Sequence, residues 1–203
     1  MVDTMQTAQQ HLLKNDPILR PVILAVGDCP LKSHDRYYQE LVESIIGQQL
    51  SIKAAATIAA RFVDLFDGKF PSPQQILAES HERLRTAGLS NAKANYIRDL
   101  AQHIVDGKLA IEKLPSLSND QVTSELVAVK GIGEWTAHMF LMFSLGRLDV
   151  LPVGDLGLKT GIQKLYKLKQ LPTSVDITTI AKKYSWHPFE SVASWYVWQS
   201  LKL

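Results

Sequence analysis

The stretch Glu125-Leu126-Val127-Ala128-Val129-Lys130-Gly131-Ile132-Gly133-Glu134-Trp135-Thr136-Ala137 decides the fold. Two glycines flank one isoleucine, and an amphipathic segment lies on each side. Gly131 permits the positive φ of a tight chain reversal. Gly133 removes the side chain where the next helix begins, so that backbone N–H groups and the positive end of the helix dipole can meet an anion such as a phosphate. Ile132 is placed to pin the reversal into a core. A plain helix–helix connection also uses glycine. The longer string, apolar-x-Gly-Ile-Gly-x-x-Thr-Ala between two helices, points instead to a nucleic-acid backbone contact made by Lys130, Gly131, Ile132, Gly133 and Thr136.

Outward from this hairpin the pattern is helical almost throughout. Apolar residues recur at three-to-four spacing from Arg36 to Ile46, and Ala94, Ile97, Leu100, Ala101 and Ile104 share one face of a segment running from Asn91 to Val105. Ser51 is placed to cap an Ala-rich helix to about Phe66, and Ser118-Asn119-Asp120-Gln121 reads as a capping box. In the segment from Asp16 to Gly27, Pro17 and Pro21 suit early helical positions and Gly27 suits a stop. A loop to Gly154 is followed by a helix from Asp155 to about Leu168 and two more helices beyond it.

The single cysteine, Cys29, excludes a disulfide framework and a cluster held by four cysteines. No apolar run approaches the ~20 residues of a bilayer span, so no membrane partner is expected. The net charge is only +2, but Lys159, Lys164, Lys167 and Lys169 fall in one acid-free stretch from Leu156 to Gln170. Such a block is either a solvated helix face or a phosphate-facing surface. The six histidines are scattered without ligand spacing.

Asp155 follows Pro152-Val153-Gly154 at a helix start. An Asp there is commonly only a cap. It can equally be a fixed carboxylate that stabilises developing positive charge on a sugar and orients water. The two roles are compatible.

Taken together, these residues resemble the helix–hairpin–helix DNA glycosylases, and in particular the 3-methyladenine DNA glycosylase II branch. The hairpin string, the loop Leu148 to Gly157 ending in Asp155, Gly47-Gln48-Gln49-Leu50-Ser51, Gly88-Leu89-Ser90, Lys93-Ala94 and the tail Trp186-His187-Pro188-Phe189 carry the likeness. Glu190 departs from it, since Arg is expected after that tail run.

The resemblance implies an all-α fold of two helical lobes with a cleft between them. One lobe, 36–148, would carry the hairpin; the other, 1–35 with 149–203, would carry the carboxylate. The implied activity is monofunctional hydrolysis of alkylated, cationic purines such as 3-methyladenine and 7-methylguanine from double-stranded DNA, by a monomer in the bacterial nucleoid or a nucleus. Asp155 would be catalytic, and Trp135, Met139 and Trp198 would line the base pocket. Gln48, Gln49, Leu50 and Ser51 would contact DNA, with Gln49 or Leu50 filling the gap left by the extruded base. Backbone carbonyls of Val127, Val129 and Gly131 would hold a sodium or potassium ion, with no other cofactor required. Two alternatives are a relative that removes oxidised or mismatched purines and a non-catalytic helix–hairpin–helix DNA-binding module.

Overall fold

The computed structural model describes residues 4–203. Among them there are twelve α-helices, one 3-10 turn and no strand. The chain divides into two compact units, 34–140 and the described residues up to Ser33 together with Leu141–Leu203.

The first unit, the hairpin lobe, contains α3 (Tyr37–Gly47), α4 (Ile52–Asp64), α5 (Pro73–Ala78), α6 (His81–Thr86), α7 (Asn91–Val105), the 3-10 turn Ile111–Ser116, α8 (Asn119–Val127) and most of α9 (Glu134–Phe143). Serines start several of these helices, Ser51 and Ser118 where the sequence places them. Ser51 accepts the Ala54 N–H, Ser90 accepts that of Lys93, and Ser72 and Ser118 each close a full capping box. A lost cap of this kind typically costs ~1 kcal/mol. The core is built from the apolar faces so delimited: Leu41, Ile45, Phe62, Ile76, Ile97, Leu100 and Leu126 are all solvent-excluded.

The second unit, the terminal lobe, joins α1 (Thr4–Asn15) and α2 (Arg20–Val26) to α10 (Leu156–Leu165), α11 (Ser174–Lys183) and α12 (Glu190–Ser200). Pro21 sits in the first turn of α2 and Gly27 ends it at φ 80°. Helix α1 has no counterpart in the sequence reading, because its segment is mostly polar; Ala8 and Leu12 are buried in the lobe, with Met5 and Leu13 packed beside them. Its anchoring is tertiary: the Gln9 amide donates to the Gly27 carbonyl and the Tyr196 hydroxyl.

A buried carboxylate organises this lobe. Asp16 accepts the N–H groups of Ile18 and Leu19 on one oxygen and the Tyr166 hydroxyl and Trp186 indole on the other. Four donors offset the desolvation of an ion that is fully excluded from water. Burial, and then the neighbouring Asp16 charge, push the Tyr166 phenol well above its ordinary range.

The second boundary between units falls inside α9, earlier than the Leu148 end expected from sequence. The turn after α9 is tied to the terminal lobe. Ser191 N–H donates to Leu148 O at 2.8 Å, and Gly146, at φ 66°, lies so close to Ser33 that a Cβ would stand 2.8 Å from its nitrogen.

Candidate active site

In the hairpin lobe, α8 and α9 meet at the reversal read from the sequence. Gly131 has φ 87°, and a Cβ there would stand 2.3 Å from the Tyr96 ring. Both backbone and space therefore demand glycine. Ile132 and Val129 are buried beneath the turn. Gly133 is different: it is exposed and a Cβ there would meet nothing within 4 Å. The protein leaves open space at the start of α9, where helix N–H groups lie. Asp99 on α7 braces the turn from below, accepting the Lys130 N–H at 2.9 Å, while the Lys130 ammonium remains largely exposed.

The junction between α3 and α4 is fastened to this hairpin. The Gln48 amide donates to Gly131 O at 2.7 Å. The Lys93 ammonium donates to the carbonyls of Ile46 and Gln48 at 2.8 and 2.7 Å, closing the C-terminus of α3. Removal from water holds the Lys93 amine below its usual pKa. Gln48 is thus committed to internal bonds. Gln49 and Leu50 form the exposed apex, and Gln49 adopts φ 57° although it is not glycine. A left-handed residue stores about 1–3 kcal/mol of strain and persists only where its surroundings impose it. Next to the apex, Ile52 is 92% exposed.

On α9, Trp135 and Met139 lie four residues apart and share a face. Trp135 is 52% exposed, whereas Thr136 is only 7% exposed and offers little side-chain surface to a partner. A cavity of about 360 Å³ between α8 and α9 is lined by Asp120, Thr123, Ser124, Val127, Glu134 and His138. Its acidic rim suits neither a phosphate nor a cation-reading aromatic site, and Trp135 and Met139 are outside it.

In the terminal lobe the loop before α10 delivers Asp155. Its N–H turns back to Pro152 O at 2.9 Å. Upstream, the Ser191 hydroxyl accepts Val150 N–H and donates to Val150 O, so this buried serine clips the loop to the start of α12. Asp155 is the N-cap of α10, with Oδ1 accepting Leu158 N–H at 2.5 Å. The same oxygen accepts the Trp198 indole N–H at 2.8 Å. Phe143 stacks on the Trp198 ring, centroids 6.1 Å apart and planes inclined by 24°.

The structure thus joins Trp198 to Asp155 in one lobe and Gln48 to the hairpin in the other. Sequence reasoning missed Tyr96, Asp99, Phe143 and Ser191. Phe143 was within reach: it continues the Trp135–Met139 spacing by one more turn. The other three carry no local pattern.

Comparison with known proteins yields consistent matches. A family model described as HhH-GPD superfamily base excision DNA repair protein matches residues 42–185. A Schizosaccharomyces pombe protein named DNA-3-methyladenine glycosylase 1 is 33% identical over 208 residues, covering 100% of this chain and 90% of that protein. The crystal structure of a DNA-3-methyladenine glycosidase from Bacillus halodurans has a TM-score of 0.84 and 40% identity, covering 95% of this chain and 88% of that one. The structure of a Schizosaccharomyces pombe 3-methyladenine DNA glycosylase in complex with abasic DNA also has a TM-score of 0.84, at 33% identity and 97% coverage of each chain.

Proposed function

The chain belongs to the HhH-GPD superfamily of base excision DNA repair proteins, and on that premise we propose that it is a monofunctional DNA glycosylase acting on alkylated purines in duplex DNA, with Asp155 as its catalytic carboxylate. The observation that carries this is the seating of Asp155: one carboxylate oxygen fixed by two N–H donors at the head of α10, directly after the Pro152 turn.

The chemistry follows from that carboxylate. As the C1′–N bond breaks, its electron pair leaves with the purine and positive charge builds on the sugar. Asp155 stabilises that charge and orients the attacking water, whose oxygen bonds to C1′ and whose proton is taken up by the carboxylate or solvent. A 3-methyladenine or 7-methylguanine base departs as a neutral molecule and needs little help from an acid. Electron-rich faces such as that of Trp135 favour a cationic base over a neutral one. The duplex is held by backbone contacts at Lys130–Gly133, and the exposed Gln49–Leu50 apex takes the place of the extruded base. One copy of the chain carries all of these parts, so a monomer suffices.

Neutral carbonyl oxygens at the hairpin support the reading of a monovalent-cation site. Val129 O accepts Ile132 N–H and Gly131 O accepts Gln48, and each neutral oxygen keeps a second lone pair. With Val127 O, they would hold sodium or potassium, which would bring positive charge to a DNA phosphate.

The test is incubation of the protein with methylated duplex DNA and, in parallel, with duplex DNA carrying oxidised purines, followed by chromatography of the released bases. Free 3-methyladenine or 7-methylguanine is the expected product. Release of neutral oxidised purines alone would point to the oxidised-base reading, and no release to a binding module.

A further inference from the structure

We propose that Trp198 acts as the positioning residue of the Asp155 carboxylate, working through its indole N–H and not as a stacking face for the damaged base. This rests on the glycosylase reading above and assigns Trp198 a different task from the one its aromaticity suggests.

Three features of the terminal lobe converge on the indole–carboxylate bond. First, the bond itself is short, 2.8 Å from Nε1 to Oδ1, and falls on the oxygen that also takes Leu158 N–H. The carboxylate is therefore held from two elements, α10 through the backbone and α12 through the indole.

Second, the indole is oriented by its neighbours. Phe143 covers one ring face. The edge bearing Cδ1 and Nε1 lies over Gly157, where a Cβ would stand 3.3 Å from both atoms and 3.1 Å from Asp155 Oδ1. Any side chain at 157 would press on both partners of the bond.

Third, the register of α12 against α10 and the loop before it is fixed at two points ahead of Trp198. Gly161 permits the close approach, since a Cβ there would meet Val197 Cγ1 at 2.5 Å and Val197 O at 2.9 Å. Ser191, at the head of α12, holds the Asp155 loop at Leu148 and Val150.

A stacking face requires none of this. It needs an aromatic ring, and a phenyl group would serve. A preorganised carboxylate requires all of it, because an acid already aimed at the developing charge avoids reorganisation during the reaction.

The discriminating experiment compares Trp198→Phe with Trp198→Ala in single-turnover excision of 7-methylguanine at saturating enzyme, alongside affinity for an abasic-site duplex. A hydrogen bond to an ionised group corresponds to about a 10- to 100-fold change in rate. Both variants should lose that much, with abasic-DNA affinity within about twofold of wild type. If Trp198→Phe recovers most of the rate that Trp198→Ala loses, the ring face is what matters and the proposal falls.

A second measurement does not depend on turnover. The Trp198 indole N–H resonance, assigned by its absence in Trp198→Phe, should move upfield in Asp155→Ala. An unmoved resonance means that the bond is not formed, and overturns the proposal even if activity is high. A wild-type protein that releases no methylated base, yet shows the shifted indole, refutes the glycosylase reading and, with it, any positioning role in catalysis.

Discussion

The two hairpin glycines should separate stability from DNA affinity. At Gly131 an added methyl enters a left-handed backbone, φ 87°, and overlaps Tyr96 at 2.3 Å. The first effect costs about 1–2 kcal/mol and the second about 1–3 kcal/mol, because the Tyr96 ring and its base must shift. Gly131→Ala should therefore destabilise the protein by roughly 2–5 kcal/mol, lowering Tm by roughly 4–20 °C at 2–4 °C per kcal/mol. Gly133→Ala meets no protein atom within 4 Å and has no positive φ. Its stability should stay within about 0.5 kcal/mol of wild type, while the new methyl stands in the open space of the proposed phosphate contact at the start of α9. Loss of one charge-assisted contact there should weaken binding by about tenfold or more. Thermal melts give the first quantity, and fluorescence anisotropy with an abasic-site duplex at two salt concentrations gives the second. A Gly133→Ala variant that melts as early as Gly131→Ala, or binds DNA as tightly as wild type, would refute this division of roles.

Two further outcomes follow from the same geometry. Trp135 stands two residues after the second hairpin glycine, and its indole, unlike a lysine amine, cannot form a Schiff base with the sugar; borohydride should trap no covalent adduct on an alkylated substrate, and an adduct abolished by mutating a lysine would refute hydrolysis by water alone. Trp135→Ala should reduce excision of cationic purines by about 3- to 30-fold, the range of an exposed to partly desolvated cation–π contact, while abasic-duplex affinity changes less; equal losses in both would mean that the residue only supports the fold.

How much the sequence reveals depends on whether a feature is local. Ser51 and Ser118 cap the helices they were expected to cap, and the apolar face of α7 buries Ala94, Ile97, Leu100 and Ala101 while Ile104 at its end is half-buried. Each of these is decided within about one or two turns of chain. Gly131 is half local: positive φ is readable from a glycine hairpin, but the Tyr96 ring filling the space beside it comes from a distant helix. Asp155 shows the same division. Its cap is local, and the Trp198 indole that shares its oxygen lies 43 residues away, a pairing no spacing rule supplies. Helix α1 is hard to read in the sequence because its segment is mostly polar; its docking combines the apolar contacts of Met5, Ala8, Leu12 and Leu13 with side-chain hydrogen bonds to Gly27 and Tyr196. Thr136 belonged to the expected DNA-contacting string but is mostly buried, since it falls on the inward side of α9 beside Ala137.

The central claim, that the Asp155 carboxylate performs the hydrolysis, is tested most directly by Asp155→Asn in single-turnover release of 7-methylguanine from methylated duplex DNA. The amide keeps an acceptor oxygen for Leu158 N–H and the Trp198 indole, so the loop should remain in place and abasic-DNA affinity should stay within about threefold of wild type. Removing the negative charge from beside an oxocarbenium-like transition state should slow release by at least about 100-fold. Release within about threefold of the wild-type rate, with binding intact, would contradict the account.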